Sequence, residues 1–298
     1  MFAWDSRPVA AKLPLLALAL LLSRPGLTQD GATVRPVLTP QGQRKVWMPA
    51  TQARVEGAHP AALLVLHSSA SSPAQIERLT GYTRWARQEG FLVAYPEGLD
   101  GRWNDGRSDP FPPSSGQDDV AFLSGCLDLL VKDFGADPKK LFIVGFDSGG
   151  SLALTAGLQL AGQLAGVAAC MAGFSASLEP RLATPCATPM LILQSESDPC
   201  IPFQGGEVRY FGGKSRGQVL PSDRVVQLWS GLSAPTDQVV LAGGRREMWG
   251  AKVVRIRLTG AGHLWPGTEA PVSEELFGPL QRDLAASQTI WDFFRGQW

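Results

Sequence analysis

Leu141-Phe142-Ile143-Val144-Gly145-Phe146-Asp147-Ser148-Gly149-Gly150 is the stretch that decides how this chain folds. Its apolar run has no polar break, as expected of a strand buried on both faces of a parallel sheet. A Leu- and Ala-rich helical pattern then continues to about Leu164. Gly145 and Gly149 stand two residues before and two after Asp147. A strand, a turn with that glycine spacing and a helix have the form of a nucleophile elbow, which presents one strained residue at its tip.

The flanking sequence repeats the alternation. Ala61–Leu66, Phe91–Tyr95, Gly166–Met171 and Met190–Leu193 are further apolar runs, and Lys252–Leu258 alternates. A weaker strand is expected near Lys45–Met48. Helices are expected around Gln75–Glu89 (stopped by Gly90), from Val120 to Phe134, near Asp223–Leu228 and over Ala285–Phe294. Asp118 and Asp119 begin the second of these, where negative charge suits the helix dipole. Alternating strands and helices imply one α/β domain, a mainly parallel sheet covered by helices on both faces. Residues 96–117 form a Gly-, Pro- and Asp-rich loop, long enough to suggest a functional role.

Composition narrows the classes. The 298 residues carry 27 Lys+Arg and 27 Asp+Glu, so net charge is zero, which argues against nucleic acid as a partner. Hydrophobic residues make up 44%, enough for a large core rather than disorder. Arg7 and Lys12 precede the apolar run Leu13–Leu22, which is shorter than the roughly 20 residues needed to span a bilayer. Residues 1–28 therefore read as a signal peptide and 29–298 as the domain, which places the protein outside the cell or in the periplasm. No other segment suggests a membrane. The four cysteines permit disulfides in that setting, Cys186–Cys200 being the most local pair, although Cys126 and Cys170 sit in patterns suited to buried thiols. There is no Cys-x-x-Cys and only three histidines, so neither a metal nor a cofactor is expected.

Chemistry in such folds gathers at the carboxyl ends of strands. Four of those ends carry polar residues: His67–Ser69, Asp147–Ser148, Asp198 and His263. The order Asp147, Asp198, His263 is the hydrolase order of nucleophile, acid and base. His263, in a Gly-rich loop after the last strand, is the candidate base, and Asp198 would orient it. The bland alternatives are a surface histidine and a turn-forming aspartate before Pro199. Ser68 and the Ser148 N–H are oxyanion-hole candidates, with loop capping as the alternative for Ser68. Trp103, Asn104 and Trp265 are candidates for lining the substrate cleft, or else pack long loops onto the sheet.

These motifs carry a resemblance. Gly90–Gly98, Trp103-Asn104-Asp105-Gly106-Arg107, Asp118–Leu123, Val144-Gly145-Phe146, Asp198-Pro199 with Ile201-Pro202, and Gly260–Gly267 together resemble the α/β-hydrolase family of secreted polyhydroxybutyrate depolymerases and feruloyl-type esterases, over about residues 40–298. The resemblance implies an α/β-hydrolase fold and a small-molecule or polymeric ester as substrate, and leaves oligomeric state open. The family pattern at the elbow is Gly-Phe-Ser-Asn-Gly-Gly, but Asp147 stands at the serine position here. His67-Ser68 and Gln194-Ser195 replace its His-Gly pairs, and its cysteine pair is absent around Leu232 and Trp249.

Three readings of the elbow follow. Asp147 attacks, giving a covalent ester intermediate, as in α/β-hydrolases of alkyl halides and epoxides. Alternatively Ser148 attacks through a shifted register, or the site is silent as an esterase and binds a ligand. Should both aspartates approach His263, its pKa rises, and a protonated imidazole cannot serve as a general base.

Overall fold

The computed structural model describes residues 32–50, 57, 59–107, 116–210 and 213–297. The expected signal peptide, residues 1–28, lies outside them. The strands are β1 (Thr33–Thr39), β2 (Gly42–Met48), β3 (Ala62–Leu66), β4 (Leu92–Pro96), β5 (Leu141–Phe146), β6 (Gly166–Cys170), β7 (Met190–Ser195), β8 (Gly206–Glu207), β9 (Gln218–Val219), β10 (Asp237–Leu241), β11 (Gly244–Trp249) and β12 (Val253–Leu258). The helices are α1 (Pro73–Thr80), α2 (Tyr82–Glu89), α3 (Asp119–Phe134), α4 (Ser148–Gln159), α5 (Ser222–Ser230), α6 (Glu274–Phe277) and α7 (Ala286–Arg295).

Ten strands form one sheet in the order β1-β2-β4-β3-β5-β6-β7-β12-β11-β10. The six from β4 to β12 run parallel. Five of them are the apolar runs read from sequence, and β12 is the alternating segment. β1 and β2 on one side, and β11 and β10 on the other, pair antiparallel. These flanks went largely unread because β1 and β10 are mostly exposed and lack apolar alternation.

Period-two alternation divides the core into two layers. Ala62, Leu64 and Leu66 of β3 face α3, α4 and α5, packing with Leu123, Leu154 and Trp229. Leu63 and Val65 face the other way, toward α1, α2 and α7. Helices thus cover both faces, as the sequence pattern implied. Local signals set the helix ends. The Asp118 side chain accepts from the Ala121 N–H at 2.9 Å and caps α3.

Two expectations need correction. The single helix around Gln75–Glu89 is two, because Gly81 takes a left-handed φ of 66° and both ends α1 and precedes α2. All four cysteines are free, so Cys186 and Cys200 do not pair. Among the described residues, no helix is long and apolar enough to cross a membrane.

Candidate active site

β5 runs into α4 through the elbow, and the two glycines are there for space. A Cβ on Gly145 would lie 2.2 Å from the Gly149 carbonyl carbon, and one on Gly149 would lie 2.4 Å from the His67 carbonyl oxygen. Asp147 sits at the tip with φ 55° and ψ −121°, a conformation costing about 1–3 kcal/mol in a non-glycine residue. The surrounding chain holds it there. Its N–H donates to the Cys170 carbonyl at 3.1 Å, and its carbonyl accepts from the Ser151 N–H at 2.9 Å.

The two oxygens of the Asp147 carboxylate have different partners. Oδ2 accepts from the Ser69 backbone N–H at 3.1 Å. Oδ1 accepts a hydrogen bond from the Tyr210 hydroxyl. It also lies 3.6 Å from His263 Nε2. On the far side of the ring, Nδ1 donates to Asp198 Oδ2 at 2.8 Å. Asp198 Oδ1 accepts from the N–H groups of Cys200 and Ile201 at 2.8 and 2.9 Å. The imidazole therefore stands between two carboxylates, and its ring lies among Phe146, Tyr210 and Phe277.

Charge follows from this arrangement. Burial alone would lower the His263 pKa, but Asp198 and then Asp147 outweigh it and push the value up to about 10. Burial alone would raise the Asp147 pKa. His263, then Arg107 and the Tyr210 hydrogen bond, instead hold it at about 2. The Arg107 guanidinium is itself buried and paired with Asp105 Oδ2, 2.6 Å from Nη2. Asp147 and His263 thus favour each other's charged form across the 3.6 Å between them.

A folded-state pKa raised from 6.5 to about 10 stabilises the native state fully below pH 6.5 and loses that contribution as pH rises through 10. The melting temperature should therefore fall between pH 7 and 10. Asp147→Asn, with one carboxylate fewer beside the ring, should flatten that slope in a thermal melt series. Equal slopes would mean the ring is not held charged by Asp147.

The other expected residues are placed differently. The Ser148 hydroxyl accepts from the Ser69 hydroxyl at 2.9 Å, in the first turn of α4. No hydrogen bond joins it to the imidazole among the described residues, so the shifted register is not the one adopted. Ser68 contributes its carbonyl, which accepts from His67 Nδ1 at 2.8 Å, while its neighbour Ser69 supplies the N–H to the carboxylate. His67 Nε2 accepts from the Gly98 N–H at 2.9 Å, so its proton is on Nδ1, and burial lowers its pKa to about 4.

Trp103, Asn104 and Trp265 are supports rather than cleft lining. Trp103 is buried, and its indole N–H donates to the His67 carbonyl at 2.8 Å. The Asn104 N–H donates to Asp119 Oδ2 at 2.6 Å, and its side chain donates to the Gln117 carbonyl. Asp119 in turn binds Arg44 at 2.9 Å, so this loop is pinned to β2 and α3. The Trp265 N–H donates to Ser287 Oγ at 3.0 Å within the core. In each case the polar group that would meet a substrate is already spent internally. Sequence reading missed Tyr210: it lies 63 positions from Asp147 and no motif marks it. Asp198, Cys200 and His263 bring ligand atoms within 4.8 Å of one another. A cation taken at Nδ1 would have to displace the hydrogen bond to Asp198.

Comparisons with known proteins agree with this architecture. Residues 125–210 match the phospholipase/carboxylesterase family. Over 256 residues the chain is 28% identical to the "Putative esterase NocK" of Nocardia uniformis subsp. tsuyamanensis, covering 78% of this chain and 73% of that protein. Over 110 residues it is 30% identical to the bifunctional acetylxylan esterase/xylanase XynS20E of Neocallimastix patriciarum, a match spanning 36% of this chain and only 15% of that protein. The acetyl xylan esterase from Aspergillus awamori superposes with a TM-score of 0.61 at 14% identity, covering 89% of this chain and 99% of that one. The sheet order, the elbow and these likenesses together make this chain a single α/β-hydrolase domain, similar in sequence to esterases.

Proposed function

We propose that the protein is an esterase-type α/β-hydrolase whose elbow no longer hydrolyses carboxylic esters, and that it serves to bind an ester ligand. One observation carries this reading: the Asp147 carboxylate stands at the tip with Oδ2 on the Ser69 N–H and Oδ1 against Tyr210 and His263. A substrate carbonyl oxygen would need that N–H. A carboxylate attacking a carboxylic ester would form an anhydride, which is uphill. An imidazolium held by two carboxylates has no lone pair with which to take a proton.

The motif resemblance supports hydroxyalkanoate or feruloyl esters as the ligand class. The basic start and short apolar run before residue 28 support export. The test is a p-nitrophenyl acetate and butyrate assay of wild type, Asp147→Ser and Ser148→Ala. Wild type should not exceed the buffer rate and Asp147→Ser should. A wild-type rate that Ser148→Ala abolishes would instead make Ser148 the nucleophile.

A further inference from the structure

A cavity of about 360 Å³ lies between the β8–β9 ribbon and the segment Ser175–Ser177. That volume is within the roughly 300–1,000 Å³ of small-ligand sites. Ser175 and Ser177 form one wall, and Glu207, Ser215, Gly217 and Gln218 form the other. Neither Asp147 nor His263 lines it, so the cavity is distinct from the elbow. We propose that it binds a neutral sugar, one or two rings, through the sugar's hydroxyl groups. This goes beyond the ester reading above and does not rest on it.

The donors and acceptors on the two walls select the ligand class. Ser175 and Ser177 make three contacts with two protons. Each hydroxyl reaches the Gly106 carbonyl, at 2.9 and 2.6 Å, and the two oxygens stand 3.0 Å apart. Both protons are therefore used within the protein, and what these oxygens offer a ligand is lone pairs. Glu207 accepts from Arg209 on Oε2, which leaves Oε1 as a further acceptor. The Ser215 hydroxyl and the Gln218 side-chain amide have no hydrogen-bond partner among the described residues. Walls so rich in acceptors call for a ligand rich in donors. An ester or ether, which only accepts, would leave them unpaired, and unpaired polar groups cost affinity.

Charge and shape exclude the other classes. Glu207 is the one charged residue among the described lining residues, so an anion finds no cation there. Arg209 already pairs with that carboxylate, so an ammonium ligand would have to displace it. The described lining includes no aromatic or long aliphatic side chain, so an acyl chain has nothing to pack against. A sugar ring is neutral and carries a hydroxyl on most of its carbons. Ser175 is buried, whereas Ser177, Glu207 and Gln218 are exposed. The cavity therefore opens at the surface and can take the end of a longer glycan.

The experiment titrates the full chain with glucose and with cellobiose, followed by saturation-transfer NMR and calorimetry. Wild type should bind both with millimolar dissociation constants. Ser215→Trp fills the cavity from a half-buried ribbon position and should lose binding while keeping the wild-type melting temperature. Ser177→Ala removes one acceptor and should weaken binding about threefold or more. Glucuronate, which brings a carboxylate toward Glu207, should bind at least about tenfold more weakly than glucose. No saturable binding by wild type would overturn the proposal. So would binding that both variants leave unchanged, which would place the sugar elsewhere, or glucuronate binding as tightly as glucose. Asp147→Ser should bind cellobiose as wild type does, so this titration and the ester assay fail separately.

Discussion

Asp147→Ser should convert a protein inert toward carboxylic esters into an esterase. The substitution does three things at one position. It supplies a hydroxyl at the elbow tip, close to where the carboxyl carbon now stands. It frees the Ser69 N–H that Asp147 Oδ2 occupies. It also removes one of the two carboxylates beside His263, whose pKa is now about 10, so that the ring falls toward its ordinary value and can act as a base near neutral pH. Recovering a general base is worth about 10²–10⁴-fold, and recovering an oxyanion donor about 10²–10³-fold. A gain of at least about 10³-fold on p-nitrophenyl acetate at pH 8 is expected, and adding Ser148→Ala should leave it in place. A folded Asp147→Ser protein with the wild-type melting temperature and no activity would place the block elsewhere, Tyr210 over the tip being the next candidate.

The second large effect concerns stability. Gly145→Ala puts a methyl group 2.2 Å from the Gly149 carbonyl carbon and oxygen and 2.5 Å from the Gly150 nitrogen. All three are backbone atoms of the elbow and of α4, so no side chain can swing aside. β5 and α4 would have to separate. α4 packs against β5 and β6 at the centre of the sheet, where it is buried along most of its length. Overpacking usually costs about 1–3 kcal/mol, and a clash this close against backbone should cost about 3 kcal/mol or more. A urea melt should show the loss, or the variant should fail to accumulate as folded protein. A variant within about 0.5 kcal/mol of wild type would show that the elbow is less tight than described.

The correspondence between sequence and structure was uneven, for identifiable reasons. Five of the six parallel strands were legible as unbroken apolar runs buried on both faces, and β12 as an alternating one. β1 and β10 were not, because an exposed edge strand needs no apolar pattern. The break at Gly81 was missed because a helical periodicity continues across it. Asp147, Asp198 and His263 were found because each follows a strand that the sequence marks clearly. Tyr210 was invisible: it follows β8 and meets Asp147, 63 positions away, only in the folded chain. The tryptophans stayed open between lining a cleft and packing loops, because a sequence shows that an indole sits near a site but not whether its N–H is already bonded.

By itself, then, the sequence determined the α/β architecture, the glycine-bounded bend and the carboxylate at its tip. Those depend on residue type and near-neighbour spacing, which local sterics and hydrophobic periodicity read directly. Only the tertiary structure decided that two carboxylates share one imidazole and that the ring is therefore charged. The same holds for the phenol from a distant loop that closes over Asp147. Those outcomes depend on distances of a few ångströms between groups tens of residues apart in sequence, and on burial, which makes such charge contacts strong.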